Sequence, residues 1–510
     1  MSSETLSRPA APRAGQDGAL PVVVGPPPDL PARLRALGRR LPEARDPARF
    51  ALFGAYCVVL ALLVSAHEPW FDEAQAWLLA RDSGLVELLT ERLRYEGTPG
   101  LWHLLLMGPA QAGWPYVTMQ VIGALCAAGG VAVLLWRSPF PLLPSAGIAA
   151  SYVVGYQYAA VARSYTLAPL LVFGVAAVWR RGRIEVVTGL LALLACVSLH
   201  GTLVAGALAA VRTVSTARRW PDLDRRDRLR HLLSAAGLLA VGLGVALVLR
   251  PPADLAGPTG WNLDPVNVLR MMPQRLDESL TGQPALTAVA VLLSAAWFAR
   301  TRTLALWLVP TAAVLVLFAV KYYSPWHDGW PFLVWLFALW VSLDRTAPGA
   351  GEPRVTGWLR LGALGALAAV LVVQVGWWVQ VAAFDLEEPY AAGAELAAYL
   401  ETLDEDTVVW TTSFHALGVV PYLDGMPFDN YNGGELPGYW LWATPGRLAW
   451  SDALAERHRP DVIVRAVKHP ADVVWEPPAG YTAEAVLYGD LYGKGRVIEP
   501  NGFIVFERAD

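Results

Sequence analysis

The sequence has few charged residues for its length. Only 16% of its 510 residues are Asp, Glu, Lys or Arg, whereas 55% are hydrophobic and 22 are tryptophan. A soluble globular protein usually has about 25% charged residues. This composition excludes an ordinary soluble protein and indicates a polytopic membrane protein.

Cysteines and nucleotide-binding motifs are also scarce. The three cysteines, Cys57, Cys126 and Cys196, all lie within apolar segments, which argues against a disulfide framework or a thiolate metal site. The sequence contains no phosphate-binding loop, dinucleotide fingerprint or nucleophile elbow. It also has no basic surface with interleaved aromatic residues, so we expect no nucleic acid partner.

Charge is distributed unevenly along the chain, although the formal net charge is only -4. Residues 385–510 contain 8 Lys and Arg against 21 Asp and Glu, about -13, so the remaining residues carry about +9. We therefore expect a basic membrane domain at 49–383 and an acidic α/β domain at 384–510. Residues 1–48 are rich in Pro, Ala, Gly and Arg without an apolar period, which predicts a disordered tail and not a cleavable signal peptide.

Apolar stretches predict eleven membrane spans. Arginines before the first span place the N-terminus in the cytoplasm. Residues 100–112 are too short to cross a bilayer, and we interpret them as a re-entrant or partly buried helix. With that segment left out, the later arginine clusters all fall on the cytoplasmic side and the C-terminus falls outside. The expected spans are about 50–66, 115–136, 142–160, 165–179, 184–199, 202–216, 232–250, 284–299, 303–320, 328–343 and 357–381.

This topology brings four segments to the outer face: residues 67–114, 155–165, 251–283 and 321–328. The first of them contains two amphipathic pieces, about 73–82 and 85–95, which are suited to lie in the membrane interface. After the last span, a helical apolar period at 390–403 and strand patterns at 408–410, 462–464 and 502–507 predict a small α/β domain. The expected fold class is an all-α polytopic membrane bundle followed by this soluble domain.

Two adjacent carboxylates, Asp72 and Glu73, follow the first span and are framed by aromatic residues. Ionisable residues near a membrane are costly to desolvate and often functional. Such a pair can act as a general base toward a hydroxyl or bind a cation. The alternative interpretation is an interfacial acidic pair that only solvates the end of the span.

Cationic residues lie in two other outer segments. Arg163, within Arg163-Ser164-Tyr165, violates the usual sorting of charge, and its planar fork suits a phosphate. Lys321 and His327 form a second cluster with Tyr322, Tyr323 and Asp328, and cations here can neutralise a departing phosphate. The alternatives are a snorkelling arginine, a snorkelling lysine and a structural histidine.

Three further candidates flank the short segment 100–112: Glu96, Trp102 and His103. A histidine alone in such a position is more often structural than catalytic, and the same holds for His200. No pair of histidines has the spacing of a metal site. A divalent cation is possible, but its ligands are unknown.

The chain resembles the C-type (GT-C) glycosyltransferase superfamily. The resemblance is carried by Phe71-Asp72-Glu73 after an N-in span, by Tyr-Glu-Gly-Thr-Pro-Gly-Leu-Trp-His at 95–103, and by Ala162-Arg163-Ser164-Tyr165. It is most similar to the branch with protein O-mannosyltransferases and lipid A aminoarabinose transferases. The similarity is best over residues 50–200. In many members the next outer loop carries a second carboxylate, which Arg163 replaces here.

The resemblance implies an enzyme that transfers a sugar from a polyprenyl-phosphate carrier in the membrane to a glycan, lipid or protein acceptor outside the cytoplasm. It makes Asp72 the base, with Glu73 beside it. Arg163, Lys321 and His327 would bind the donor phosphate, and Tyr165, Glu96, Trp102 and His103 the substrates. Frequent Ala, Arg, Gly and Pro suggest a bacterial source, and hence the plasma (inner) membrane.

Two other functions share parts of this pattern. A transporter or flippase of a lipid-linked glycan would also have many spans and an interfacial binding site. Transporters usually carry ionisable residues at the midplane and inverted repeats, and the sequence contains neither. The other alternative is a non-catalytic scaffold that presents the acidic domain to a partner.

Overall fold

The computed structural model describes residues 46–256, 260–346, 353–468 and 479–509. Residues 1–45, most of the expected cytoplasmic tail, lie outside the described residues. Of the described residues, 66% are helical, and a small β region lies near the C-terminus. The mainly helical fold predicted from the apolar stretches is therefore confirmed.

Eighteen α-helices are numbered here in chain order over the described residues. They are α1 Pro47–Ala66, α2 Phe71–Asp82, α3 Leu85–Glu87, α4 Leu93–Glu96, α5 Leu101–Gln111, α6 Val117–Arg137, α7 Leu142–Ala149, α8 Leu167–Val178, α9 Ile184–Ala195, α10 Leu199–Ala217, α11 Arg225–Val248, α12 Pro265–Leu280, α13 Pro284–Thr301, α14 Leu304–Val320, α15 Gly329–Arg345, α16 Arg354–Glu387, α17 Gly393–Leu400 and α18 Asp452–His458.

Five described helices are long and apolar enough to cross a membrane. They are Pro47–Ala66, Thr118–Arg137, Arg225–Val248, Pro284–Thr301 and Arg354–Glu387, and shorter apolar helices occur at Ser164–Val178, Ile184–Ala195 and Leu304–Val320. Helix α1 begins where Asp46 accepts a hydrogen bond from the Ala48 N–H (3.0 Å), with Pro47 at the first helical position. A capped start with proline at that position is typical of a helix N-terminus.

Residues 142–160, expected as one span, do not form one helix. Helix α7 ends at Ala149, and a π-helical turn follows at Val153–Gln157. Every residue from 151 to 162 is buried. A Cβ on Gly155 would lie 2.8 Å from both the Ala149 carbonyl oxygen and Trp378 Nε1. Irregular backbone at membrane depth is tolerated where protein surrounds it, and here it brings Arg163 to the end of the bundle.

Helix α12 lies within the segment 251–283, which was expected to be a loop. Its first turn is capped by Asp264, which accepts from the Val266 N–H (3.1 Å), and Pro265 is the first helical residue. Its polar and apolar residues alternate with the helical period, and only Ser279 and Leu280 are buried. Such a helix has too few apolar residues to be recognised from hydropathy as a membrane span.

The C-terminal domain contains a mixed four-stranded sheet and a hairpin. The strands are β1 Val409–Thr411, β2 Val462–Val467, β3 Tyr481–Leu487, β4 Asp490–Gly493, β5 Arg496–Pro500 and β6 Gly502–Arg508. The sheet order is β1-β2-β6-β3, with β1 parallel to β2 and the other pairs antiparallel. The strands predicted at 408–410, 462–464 and 502–507 are confirmed, while β3, β4 and β5 were not predicted.

Polar contacts hold this domain against the helical bundle. Glu68, after α1, accepts from the Ala394 N–H at the start of α17 (2.7 Å). Lys494, at the tip of the β4–β5 hairpin, pairs with the buried Asp328. The domain therefore lies over the end of the bundle that carries Asp72.

Candidate active site

Asp72 and Arg163 form an ion pair at the end of the bundle. Asp72 is the second residue of α2, and Arg163 immediately precedes a 3-10 turn at Ser164–Thr166. Arg163 Nη1 donates to Asp72 Oδ2. The two side chains are 23% and 32% exposed, respectively, so a ligand can reach both. The structure thus brings together two of the predicted site residues, which lie 91 positions apart in the sequence.

Aromatic rings hold the guanidinium of Arg163. It lies 5.7 Å from the ring centroid of Trp70 and 5.6 Å from that of Tyr165. Burial opposes its charge, but the Asp72 carboxylate outweighs burial and raises the pKa of Arg163. The arginine is therefore a permanent cation held between two rings. Among the described contacts, Nη1 is the only nitrogen of Arg163 that donates to a carboxylate. The other N–H groups of Arg163 can therefore bind a ligand.

Glu73 points away from the ion pair into the protein and is fully buried. Its Oε1 accepts from the Ala162 N–H (2.6 Å), and its Oε2 accepts from the Trp70 N–H (3.3 Å) and bonds His67 Nε2 (3.1 Å). Because Ala162 precedes Arg163, these bonds fix the backbone from which Arg163 projects. Glu73, predicted as a partner of Asp72 in catalysis, is thus placed one layer behind it.

His67 joins Glu73 to the last helix of the bundle. Burial disfavours its charge, but the carboxylates of Asp385 and Glu73 raise the pKa of His67 to about 10. The imidazolium can donate from both nitrogens and so satisfies two buried carboxylates. The sequence reasoning missed His67 and Asp385. Their only local signal is that each lies at the end of an apolar helix.

Glu96 supplies a second carboxylate near Asp72. Its Oε1 accepts from Gln75 Nε2 (2.8 Å). Burial raises the pKa of Glu96 to about 7, against the hydrogen bond from Gln75, and the charge of Asp72 raises it further. Helix α4 ends directly after Glu96, at Gly97 (φ 64°). Residues with a side chain rarely adopt this left-handed conformation.

Trp102 and His103 lie on α5 and are both buried. Gly100 precedes this helix with φ 100°, and a Cβ there would lie 2.4 Å from Leu93 Cδ1. Trp102 Nε1 and His103 Nδ1 have no hydrogen-bond partner among the described residues. The structure thus gives these two predicted substrate contacts a buried position behind the ion pair.

His327 is buried against Tyr165. The Ser324 N–H donates to His327 Nδ1 (3.2 Å), which leaves the proton on Nε2 to donate to the Tyr165 hydroxyl (2.7 Å). Burial, with smaller contributions from His200 and Arg163, lowers the pKa of His327 well below its ordinary value. A neutral His327 supports the ring of Tyr165, which in turn contacts Arg163.

Lys321 is directed toward a neighbouring loop. Its Nζ donates to the Gly260 carbonyl (3.4 Å) and lies 5.3 Å from the centroid of the Trp261 ring. The next residue, Tyr322, is exposed, and its ring lies 5.1 Å from that of His327. Tyr322 therefore approaches the predicted site through His327.

The C-terminal domain completes one side of the site. Gln75 Nε2 donates to the Trp440 carbonyl (2.7 Å), and the Trp440 N–H donates to Gln75 Oε1 (2.8 Å). Lys468, after β2, lies 5.9 Å from the Trp70 ring centroid. Gln75 lies three residues after Asp72 in the same segment of the sequence. The positions of Trp440 and Lys468 have no local signal in the sequence.

These contacts create a half-open site with one fixed cation, one accessible carboxylate and a second carboxylate that titrates near neutral pH. Over the described part of the chain, no group of three or more His, Cys, Asp or Glu residues could hold a metal ion. A scan of protein-family models found none that matches the chain, and a search of curated proteins found no match either.

Proposed function

We propose that the chain is an integral membrane glycosyltransferase that moves a sugar from a polyprenyl-phosphate donor to an extracytoplasmic acceptor. The accessible ion pair between Asp72 and Arg163 is the observation that carries this proposal. A lipid-linked donor presents its reactive carbon at the membrane surface. A base and a cation side by side at one end of an apolar bundle suit that reaction.

The proposed reaction is a single displacement. The acceptor hydroxyl gives its proton to Asp72 while its oxygen forms a bond to the anomeric carbon of the sugar. The bond between that carbon and the phosphate oxygen breaks, and its electron pair leaves on the polyprenyl phosphate. Arg163 stabilises the negative charge of the leaving phosphate. The configuration at the anomeric carbon is inverted.

Arg163 also positions the base. Its Nη1 donates to Asp72 Oδ2, and its other N–H groups can bind the donor phosphate at the same time. The base and the leaving group are thereby held next to each other.

The proposal includes the membrane topology of eleven spans. Three helices, α8, α14 and α15, run from the site to arginines at their far ends, namely Arg180, Arg302 and Arg345. The positive-inside rule assigns those arginines to the cytoplasm. The site and the C-terminal domain then face outward from the plasma membrane.

Cysteine labelling tests this orientation. Glu405→Cys in the C-terminal domain should react with a membrane-impermeant maleimide in intact cells, whereas Arg300→Cys should react only after permeabilisation. The parent chain's Cys57, Cys126 and Cys196 are only partly buried and are replaced by serine for this experiment. Labelling of Arg300→Cys in intact cells would show that the orientation is the reverse of the one proposed.

Replacement of Asp72 tests the reaction. In Asp72→Asn the turnover of a polyprenyl-phosphate sugar by purified protein should fall by roughly 10²–10⁴-fold, because a positioned base contributes about that much. Glu91→Gln, an exposed change in the same loop, should keep full turnover. Undiminished turnover by a folded Asp72→Asn protein would remove Asp72 from the mechanism. If the protein moved the lipid-linked sugar across a vesicle membrane without transferring it to an acceptor, the result would favour a transporter.

A further inference from the structure

A large basic cavity lies at the end of the bundle opposite to the ion pair. Its volume is about 1070 Å³, and it is enclosed by the α8–α9 connection and by parts of α10, α11, α14 and α15. Arg163 and Arg180 flank α8 and are separated by 17 positions, or roughly 25 Å at about 1.5 Å per residue. The cavity is therefore distinct from the candidate active site.

The cavity has a surplus of positive charge. Nine arginines line it, and the only carboxylate in its lining is Asp227. Two carboxylates just outside neutralise some of them: Asp344 pairs with Arg180 (3.3 Å), and Glu185 pairs with Arg230 (2.7 Å). Nine arginines against three carboxylates leave an excess of six positive charges.

Several of these cations have no carboxylate to neutralise them. Arg218, Arg219 and Arg302 form no ion pair among the described residues, and all three are exposed. Arg212 donates from Nη1 to the Trp179 carbonyl (3.0 Å), while its buried Nε has no partner among the described residues. Positive residues at the cytoplasmic ends of spans orient a membrane protein. Orientation alone does not require that they converge on a cavity.

An apolar cleft of about 120 Å³ adjoins the basic cavity. Val187, Leu191 and Leu238 are among the residues that line it. Ile184, Arg212, Thr216 and His231 line both spaces, so the cleft borders the cavity directly. One end of the combined space thus suits phosphate, and the other suits hydrocarbon.

The surrounding helix surface is also suited to lipid. Helix α11 is long and apolar, yet only 6% of its most apolar window is buried. Leu239 and Leu243, for example, are 75% and 61% exposed. The cleft therefore opens beside a helix face that the protein itself does not cover. A lipid can enter from the membrane with its head toward the arginines.

We propose that this composite space binds an anionic phospholipid, with its phosphate groups among the arginines and part of an acyl chain in the cleft. Arginine forks bind phosphate oxygens in pairs, and basic pockets between transmembrane helices are typical sites for lipids with more than one phosphate. The volume and the six excess charges fit a headgroup with two phosphates better than one with a single phosphate. This inference is independent of the proposed sugar transfer.

Native mass spectrometry of the purified full-length protein tests the proposal. The probes are diphosphatidylglycerol, phosphatidylcholine, and bis(glycerophospho)glycerol, which is the diphosphatidylglycerol headgroup with both phosphates and without acyl chains. We expect diphosphatidylglycerol to bind at least about tenfold more tightly than either of the others. The variant Arg218→Gln/Arg219→Gln/Arg302→Gln should lose that preference, because each arginine near an anionic headgroup contributes a similar part of the binding.

Two further variants separate the possible sources of binding. Arg300→Gln changes an exposed arginine near Arg302 that does not line the cavity, and it should bind like the parent protein. Ala235→Phe fills the cleft from an exposed position and should weaken the binding of diphosphatidylglycerol without affecting the binding of bis(glycerophospho)glycerol.

Three outcomes would overturn the inference. One is an equal affinity of the parent protein for diphosphatidylglycerol and phosphatidylcholine. Another is a triple variant, folded by its thermal midpoint, that keeps the preference. The third is that bis(glycerophospho)glycerol binds as tightly as diphosphatidylglycerol, which would make the cavity a site for a soluble phosphate.

Discussion

At the scale of single residues, Asp72 and Glu73 have opposite environments although they are neighbours. Successive residues on an α-helix point about 100° apart. This rotation leaves Asp72 32% exposed beside Arg163 and turns Glu73 into the protein, where its side chain is fully buried. The accessible carboxylate is available to a substrate. The buried one holds the backbone at Ala162.

Under the proposed sugar transfer, Glu96 should make donor binding depend on pH. Its pKa, raised by burial to about 7, means that it is neutral below pH 7 and negatively charged above it. The added charge beside Asp72 and Arg163 repels the donor phosphate, so KM for the donor should increase as pH rises through about 7. An increase of about fivefold corresponds to roughly 1 kcal/mol of repulsion between charges.

Glu96→Gln is the matched test, because glutamine keeps the shape and stays neutral. Its donor KM at pH 8 should equal the value of the parent enzyme at pH 6. Steady-state kinetics over this pH range measure the effect. If the variant keeps the parent's pH profile of KM, another group is responsible.

The sequence predicted some of these residues better than others. Asp72 and Arg163 were found because ionisable residues at the ends of apolar segments stand out against their surroundings. His67 and Asp385, which lie 318 positions apart, meet only through the packing of the first and last helices of the bundle. The sequence also suggested cationic roles for Lys321 and His327. The described contacts of Lys321 are with Gly260 and Trp261, and burial keeps His327 neutral.

At the scale of elements, the β4–β5 hairpin acts as an anchor for the C-terminal domain. Its two-residue turn, Lys494-Gly495, has positive φ at both positions, 52° and 79°, as the tightest hairpin turns require. The turn presents Lys494 to Asp328 and to the Glu278 carbonyl (2.7 Å). A surface hairpin thereby satisfies a buried charge in the bundle.

Lys494→Met should destabilise the protein by about 3–5 kcal/mol, because it leaves the buried Asp328 without its cation. The midpoint of thermal unfolding in detergent should fall accordingly. Arg496→Gln, in the same hairpin but exposed, should leave the midpoint unchanged. Adding Asp328→Asn to Lys494→Met should recover part of the loss. Equal midpoints for Lys494→Met and Arg496→Gln would show that the pair contributes nothing.

Elements differ in how well the sequence predicts them. Long apolar runs gave helices such as α1, α6 and α16 near their expected bounds. The run at 142–160 was equally apolar, but hydropathy does not reveal that α7 ends at Ala149 or that Gly155 packs closely against the Ala149 carbonyl and Trp378. Helix α12 was not predicted, because its amphipathic sequence contains no long apolar run. The capping residue and proline at Asp264-Pro265 were its available signals.

At the scale of the whole molecule, α16 connects the membrane to the candidate active site. It has 34 residues and, at about 1.5 Å per residue, a length of roughly 51 Å. The hydrocarbon core of a bilayer is only about 30 Å thick. The helix must tilt or extend beyond the membrane, and its last turn carries Asp385, which bonds His67 and through it the segment that holds Arg163.

Under the proposed function, this connection makes the rate of sugar transfer depend on bilayer thickness. A thinner bilayer increases the hydrophobic mismatch of α16 and favours more tilt, which displaces Asp385 relative to His67. Turnover in reconstituted vesicles should therefore vary with the acyl-chain length of a zwitterionic lipid and be greatest at one intermediate length. Thermal midpoints measured in the same vesicles separate this effect from unfolding. The membrane would then act on the enzyme as a mechanical regulator and not only as its solvent.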